Sequence, residues 1–217
     1  MALLDGPRLA PLSRRPAQAL VVFLHGYGAD GNDLIALGRE WGRALPDAAF
    51  VAPHAPDRLP GAPQGRQWFP LDRRDPAEYW RGVAAAAPAL DAFLDAECTR
   101  QRVAPERVVL VGFSQGSMMA LHVGPRRAAG PAAIVAYSGL VAGPEHLKAT
   151  TARPDITLVH GDRDEVIPFP FMMLSANAFG MASIPVTWHA CPGLAHGIDR
   201  RGLAIGLDAV AGPRPRG

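Results

Sequence analysis

Lysine is nearly missing from this 217-residue chain: Lys148 is the only one, and arginine carries almost all of the positive charge. The arginines stand singly or in pairs (Arg14/Arg15, Arg73/Arg74, Arg126/Arg127, Arg200/Arg201), and the net charge is only +2. That dispersal excludes the basic stripe a nucleic-acid groove needs and reads as solvated surface charge. Cysteine is scarce too. Cys98 and Cys191 are too few for a disulfide framework, so free thiols in a reducing compartment are expected. No apolar run approaches the roughly eighteen residues of a membrane helix. The start, "MALLDGPRLAPLSRRP", lacks the charged segment and apolar run of a signal peptide. Blocks of like charge are absent, which argues against disorder. No Cys/His cluster has zinc spacing. These absences leave a soluble cytoplasmic protein, with no membrane insertion and no nucleic-acid partner.

What is present is apolar sequence in short, regular doses. Hydrophobic residues make up 48% of the chain, enough for one large buried core. Ala19–Leu24, Ala48–Ala52, Arg107–Phe113, Ala132–Tyr137, Ile156–His160 and Val186–Ala190 read as strands. Most are nearly continuous in apolar character, which suits strands covered on both faces. Helical patterns lie between them, over Asp33–Leu45, Ala77–Arg100, Ser114–Val123, Phe169–Phe179 and Leu203–Val210. Asn32 or Asp33 is placed to cap the first. Pro88 should kink or split the second. Strand and helix in alternation predict a mostly parallel sheet with helices on both faces and right-handed crossovers. The stretch Pro53–Pro76 has little periodicity and reads as a long, functional or mobile loop. No repeat or linker divides the chain, so one domain is expected over residues 1–217, with its core at about 19–211.

Ligands in such folds bind beyond the carboxyl ends of the strands. The segments there are "LHGYGADGND" (24–33), Ser114 within "VGFSQGS", "HGDRDEVIP" (160–168) and "GLAHGID" (193–199). They supply a serine, an acid and a histidine in the order of a nucleophile-elbow triad. The elbow forces the serine into a tight strand-to-helix turn, so small residues are needed two positions either side; Gly112 and Gly116 meet that need. A serine hydroxyl needs an imidazole to take its proton, and the imidazole needs a carboxylate to fix its tautomer.

Seven histidines compete for the base. His25 sits in the glycine loop, where a structural hydrogen bond is its expected role. His54, His122 and His146 have no visible catalytic partner. His160 and His189 end strands and read as satisfied core residues. His196 alone lies on a short loop after a strand and after the candidate acid. For the acid, Asp162 and Asp164 both stand near a strand end, and Asp162 could instead order the turn after Gly161.

Taken together, "FLHGYGADGNDL", "GFSQGSMMAL", "HGDRDEVIP" and "PGLAHGI" resemble the phospholipase/carboxylesterase family of α/β-hydrolases, a small lid-less group. The resemblance runs from about Ala19 to the last helix. It implies an α/β-hydrolase fold with no cap domain and an open, permissive site. It also implies Asp164 as the triad acid and His196 as the base. The backbone N–H groups of Tyr27 and Gln115 are implied as the oxyanion hole. Family members usually have leucine at the position of Tyr27 and glycine or alanine at that of Ser117. Neither change removes a backbone donor. Trp68 and Phe69 match a Trp-Phe pair that borders the acyl site in the family, and with Tyr27 and Met118 they point to an apolar acyl site. The implied activity is hydrolysis of small to medium acyl esters through an acyl-enzyme on Ser114, with no metal or organic cofactor. A thioesterase or lysophospholipase would use the same triad. A non-catalytic binding module would not need these residues intact.

Overall fold

A computed structural model of the chain describes residues 3–212. The strands are β1 (Arg8–Leu9), β2 (Ala19–Leu24), β3 (Ala48–Val51), β4 (Asp57–Leu59), β5 (Ala62–Gln67), β6 (Val108–Phe113), β7 (Ala133–Tyr137), β8 (Asp155–Gly161) and β9 (Val186–Cys191). The helices are α1 (Gly31–Trp41), α2 (Pro76–Gln101), α3 (Gln115–Val123), α4 (Pro170–Met181) and α5 (Arg200–Val210). Seven strands form one sheet in the order β1-β3-β2-β6-β7-β8-β9. All pairs from β3 to β9 are parallel, and β1 joins the edge antiparallel.

Side-chain alternation explains the layers. Leu20, Val22 and Leu24 of β2, Val108 and Leu110 of β6, and Ile134 and Ala136 of β7 face one core. There they meet Leu90, Phe93 and Leu94 of α2, Met119 of α3 and Phe179 of α4. The intervening residues, Val21 and Phe23, Val109 and Val111, Val135 and Tyr137, face a second core. Ile35 and Trp41 of α1 lie in it, and Leu203 and Leu207 of α5 pack against it. Along β2, β6 and β7 both faces of the sheet are therefore dry, which is why these strands are continuous apolar runs.

Several details differ from the sequence reading. α1 starts at Gly31 and is capped by Asp30, which accepts from Asn32 N, while Asp33 closes a capping box. α5 starts at Arg200, capped by Asp199. α2 is not split: it is one helix through Pro88. A helix-interior proline costs about 3 kcal/mol; burial of Val83 and Ala86 on one side of it and Leu90 and Phe93 on the other offsets that. Residues 53–76 are also more ordered than expected. β4 and β5 form a hairpin there, whose strands pair Asp57 with Gln67 and Arg58 with Arg66. Its short, polar strands carry no buried-face alternation to reveal them. His189 is half-buried on the edge strand β9 rather than in the core. Cys98 and Cys191 are both buried, free thiols.

Candidate functional site

The sheet order turns at β2. The chain leaves β2 for β3 on one side, and β6 lies on the other, with Leu24 beside Gly112. The loop after β2 and the turn after β6 therefore open on one crevice. Ser114 occupies that turn at φ 54°, ψ −117°, a conformation that costs a non-glycine residue about 1–3 kcal/mol. It is held by its own N–H, which donates to Tyr137 O at 2.9 Å, and by its carbonyl, which accepts from Met118 N at 3.2 Å. The flanking glycines are required sterically. A Cβ on Gly112 would stand 2.5 Å from Gly116 O, and one on Gly116 would collide with Leu24 O. Ser117 fits as well, its hydroxyl donating to Tyr137 O at 2.7 Å.

Gln115 is the first residue of α3, so its backbone N–H has no carbonyl within the helix to bond. The loop after β2 is fixed by the hairpin: Gly28 N donates to Arg66 O at 2.8 Å, and Arg66 N donates to Ala29 O at 2.9 Å. Immediately before these anchors, Tyr27 N makes no hydrogen bond among the described residues. His25 braces the same loop. Its Nδ1–H donates to Gly26 O at 2.8 Å, and its Nε2 accepts from Ala55 N at 3.0 Å. Burial disfavours its charged form and lowers its pKa.

The loops after β8 and β9 are stitched together. Asp162 N donates to Cys191 O at 3.2 Å and Arg163 N to Leu194 O at 3.0 Å. This brings Asp164 Oδ2 to 2.8 Å from His196 Nδ1. The Asp164 side chain is fully buried. Its Oδ1 accepts from Val166 N and Ile167 N, both at 2.9 Å. Asp162 acts elsewhere. It is exposed, and its Oδ1 accepts from Gly193 N at 2.6 Å. The His196 ring leans on Phe113, with centroids 4.9 Å apart. Ser138, in the turn after β7, donates to Gly197 O at 3.3 Å and secures the far side of that loop.

Tyr27, Ser114, Gln115 and His196 line a single cleft of about 270 Å³, together with Leu71, Arg74, Tyr79, Met118, Val166 and Ile167. Trp68 and Phe69 do not line it. Both are buried, at 1% and 2% exposed. Trp68 Nε1 donates to His25 O at 2.9 Å, and the Phe69 ring packs where a side chain on Gly82 would otherwise sit. They lie behind the cleft because the Gln115 side chain clamps them there. Its Oε1 accepts from Trp68 N at 2.9 Å, and its Nε2 donates to Phe69 O at 2.7 Å. No local pattern signals this clamp, because its partners are backbone atoms nearly fifty positions away. Tyr27 and Met118 line the cleft as expected from the sequence, whereas the rest of its apolar wall is missed there, although "DEVIP" carries Val166 and Ile167 directly after the acid.

A second, apolar groove of about 370 Å³ shares Arg74, Tyr79 and Val166 with the cleft and continues over Leu140, Val141, Phe171 and Leu174. Among the described residues no group of three or more His, Cys, Asp or Glu side chains is placed to hold a metal, and no helix is long and apolar enough to cross a membrane.

Residues 11–209 match the sequence pattern of the phospholipase/carboxylesterase family. The chain is similar to esterase YpfH of Escherichia coli (strain K12), with 28% identity covering 89% of this chain and 82% of the relative. It is similar to acyl-protein thioesterase 1 of Gibberella zeae, with 27% identity covering 87% and 89%. Among solved structures, esterase PE8 superposes with a TM-score of 0.93 and 40% identity, over 96% of this chain and 98% of that one. By this match and by its fold, the chain belongs to the phospholipase/carboxylesterase family of α/β-hydrolases and is a carboxylic ester hydrolase.

Proposed function

We propose that the protein is a serine carboxylesterase that hydrolyses small to medium acyl esters through an acyl-enzyme on Ser114. The observation that carries this reading is that Ser114, His196, Tyr27 and Gln115 line one cleft, with Asp164 2.8 Å behind His196. Asp164 accepts from Nδ1, which leaves Nε2 of His196 free to take the Ser114 proton. The serine oxygen then bonds to the substrate carbonyl carbon. The developing oxyanion is stabilised by the backbone N–H groups of Tyr27 and Gln115 and by the positive end of α3. As the bond to the alcohol breaks, that alcohol receives the proton from His196. Water, deprotonated by His196 in its turn, attacks the acyl-enzyme and releases the acid. The chemistry calls on no cofactor, and the partner is a small-molecule ester. One α/β-hydrolase domain carries it, and the free, buried thiols support a cytoplasmic setting.

Ser114→Ala is expected to abolish hydrolysis of p-nitrophenyl butyrate and labelling by a fluorophosphonate. Turnover at the wild-type rate would remove Ser114 as the nucleophile. The groove that continues from the cleft past Tyr79 to Leu174 favours a second reading, in which longer acyl esters or thioesters are cleaved on the same triad. Rates on p-nitrophenyl esters from two to sixteen carbons, set against palmitoyl-thioesters, separate the two. A steep fall beyond about eight carbons keeps the first.

A further inference from the structure

Asp164 has one more neighbour than a triad requires. His160, four residues earlier on β8, points its Nε2 at the same carboxylate oxygen that faces His196, at 3.2 Å. The same Nε2 lies 2.7 Å from Ile167 O. A carbonyl oxygen only accepts, so Nε2 carries the hydrogen and is shared between the carbonyl and the carboxylate. Both side chains are sealed from solvent, His160 at 1% and Asp164 at 0% exposure, and Phe169 stands edge-on to the His160 ring. Burial lowers the His160 pKa and keeps the ring neutral, so it acts as a donor rather than as a counter-ion.

We propose that His160 is a positioning residue for the hydrolysis: its single N–H fixes the 164–167 turn through Ile167 O and takes part of the Asp164 charge away from His196. This rests on the reading of Asp164 as the triad acid. The groups facing the Asp164 carboxylate are His160 and His196, with Val166 N and Ile167 N on its other oxygen. The remaining charges on the turn, Asp162, Arg163 and Glu165, are exposed. Without the His160 donor, the carboxylate holds a protonated His196 more tightly. The pH dependence of catalysis then changes as well as the rate.

The test compares two amides in the full-length enzyme. The Nε2 of glutamine occupies nearly the place of histidine Nε2, whereas the asparagine nitrogen falls short of it. His160→Asn is expected to lower kcat/KM on the order of tenfold and to move the acid limb of its pH profile upward by about half a unit. His160→Gln is expected to restore both. A merely structural role predicts lost stability and rate with the acid limb unmoved in both variants; that result, or an Asn variant with the wild-type profile, overturns the proposal. Should His160→Asn fail to fold, His160→Leu, which lacks the donor but keeps apolar bulk at a buried position, takes its place beside His160→Gln: an acid limb at the wild-type position in the Leu variant, or a shifted one in the Gln variant, overturns the proposal. Asp164→Asn is measured alongside. If it leaves activity intact, the triad assignment itself fails, which is distinguishable from an inert His160.

Discussion

Two histidines lie at the two ends of α3 in contrasting company. His196 leans on Phe113 at the start of the helix, opens on the cleft and has a carboxylate 2.8 Å from its Nδ1. His122, in the last turn, packs edge-on against Trp80 with centroids 5.3 Å apart and is 5% exposed. Its Nδ1 has no hydrogen-bond partner among the described residues. Instead of a carboxylate it has a guanidinium and a ring: Arg126 donates to its backbone carbonyl at 2.9 Å, and His146 stacks on the same Trp80. Burial, helped by Arg126 and His146, pushes His122 down to about 4. The ring chemistry is the same in both. The neighbours decide whether a histidine can carry a proton in turnover or must remain neutral as part of the core.

The contrast is broken most severely by removing the carboxylate. Asp164→Asn is expected to lower kcat on the order of ten-thousandfold, because the wrong imidazole tautomer is then held. Asp162→Asn should leave the rate roughly unchanged, since an amide oxygen still accepts from Gly193 N. The reverse ranking in steady-state kinetics would move the acid to Asp162. A smaller loss is expected from the clamp under the cleft. Gln115→Leu leaves Trp68 N and Phe69 O buried without partners, at a cost of about 2–4 kcal/mol, which calorimetry should record as a Tm lower by roughly 5–15 °C. A drop of a degree or two would mean that water or a backbone shift replaces the clamp.

The smallest effect tests the other histidine. His122 takes up its proton near 4 when folded and near the ordinary histidine value when unfolded. Between those values the unfolded chain binds more protons, so stability rises with pH and is lost as pH falls from about 6.5 towards 4. His122→Leu should flatten that part of the Tm–pH curve by a few degrees and leave ester hydrolysis at neutral pH intact. An unchanged slope would mean that the buried His25 and His160 carry the acid sensitivity instead.

Much of this was legible from local pattern. The six parallel strands were readable because each is written as a short apolar run, and most are buried on both faces. The elbow was readable because its steric demand falls on Gly112 and Gly116, within two positions of Ser114. The hairpin of β4 and β5 was not, because its short strands are polar and carry no apolar alternation. Residue type and loop position suggest Trp68 and Phe69 as cleft residues. Their burial instead depends on Gln115 and Gly82, which the fold brings to them from other segments of the chain.

The sequence alone determined the layered α/β architecture and the order of serine, acid and histidine at strand ends, since periodicity and steric need are local properties. Spacing alone left Asp162 and Asp164 open, and the tertiary structure sets Asp164, the acid implied by the family resemblance, against His196; only the tertiary structure decided which histidine backs that aspartate and which further side chains wall the cleft. Those depend on hydrogen bonds and burial between segments far apart along the chain, and no local spacing encodes them.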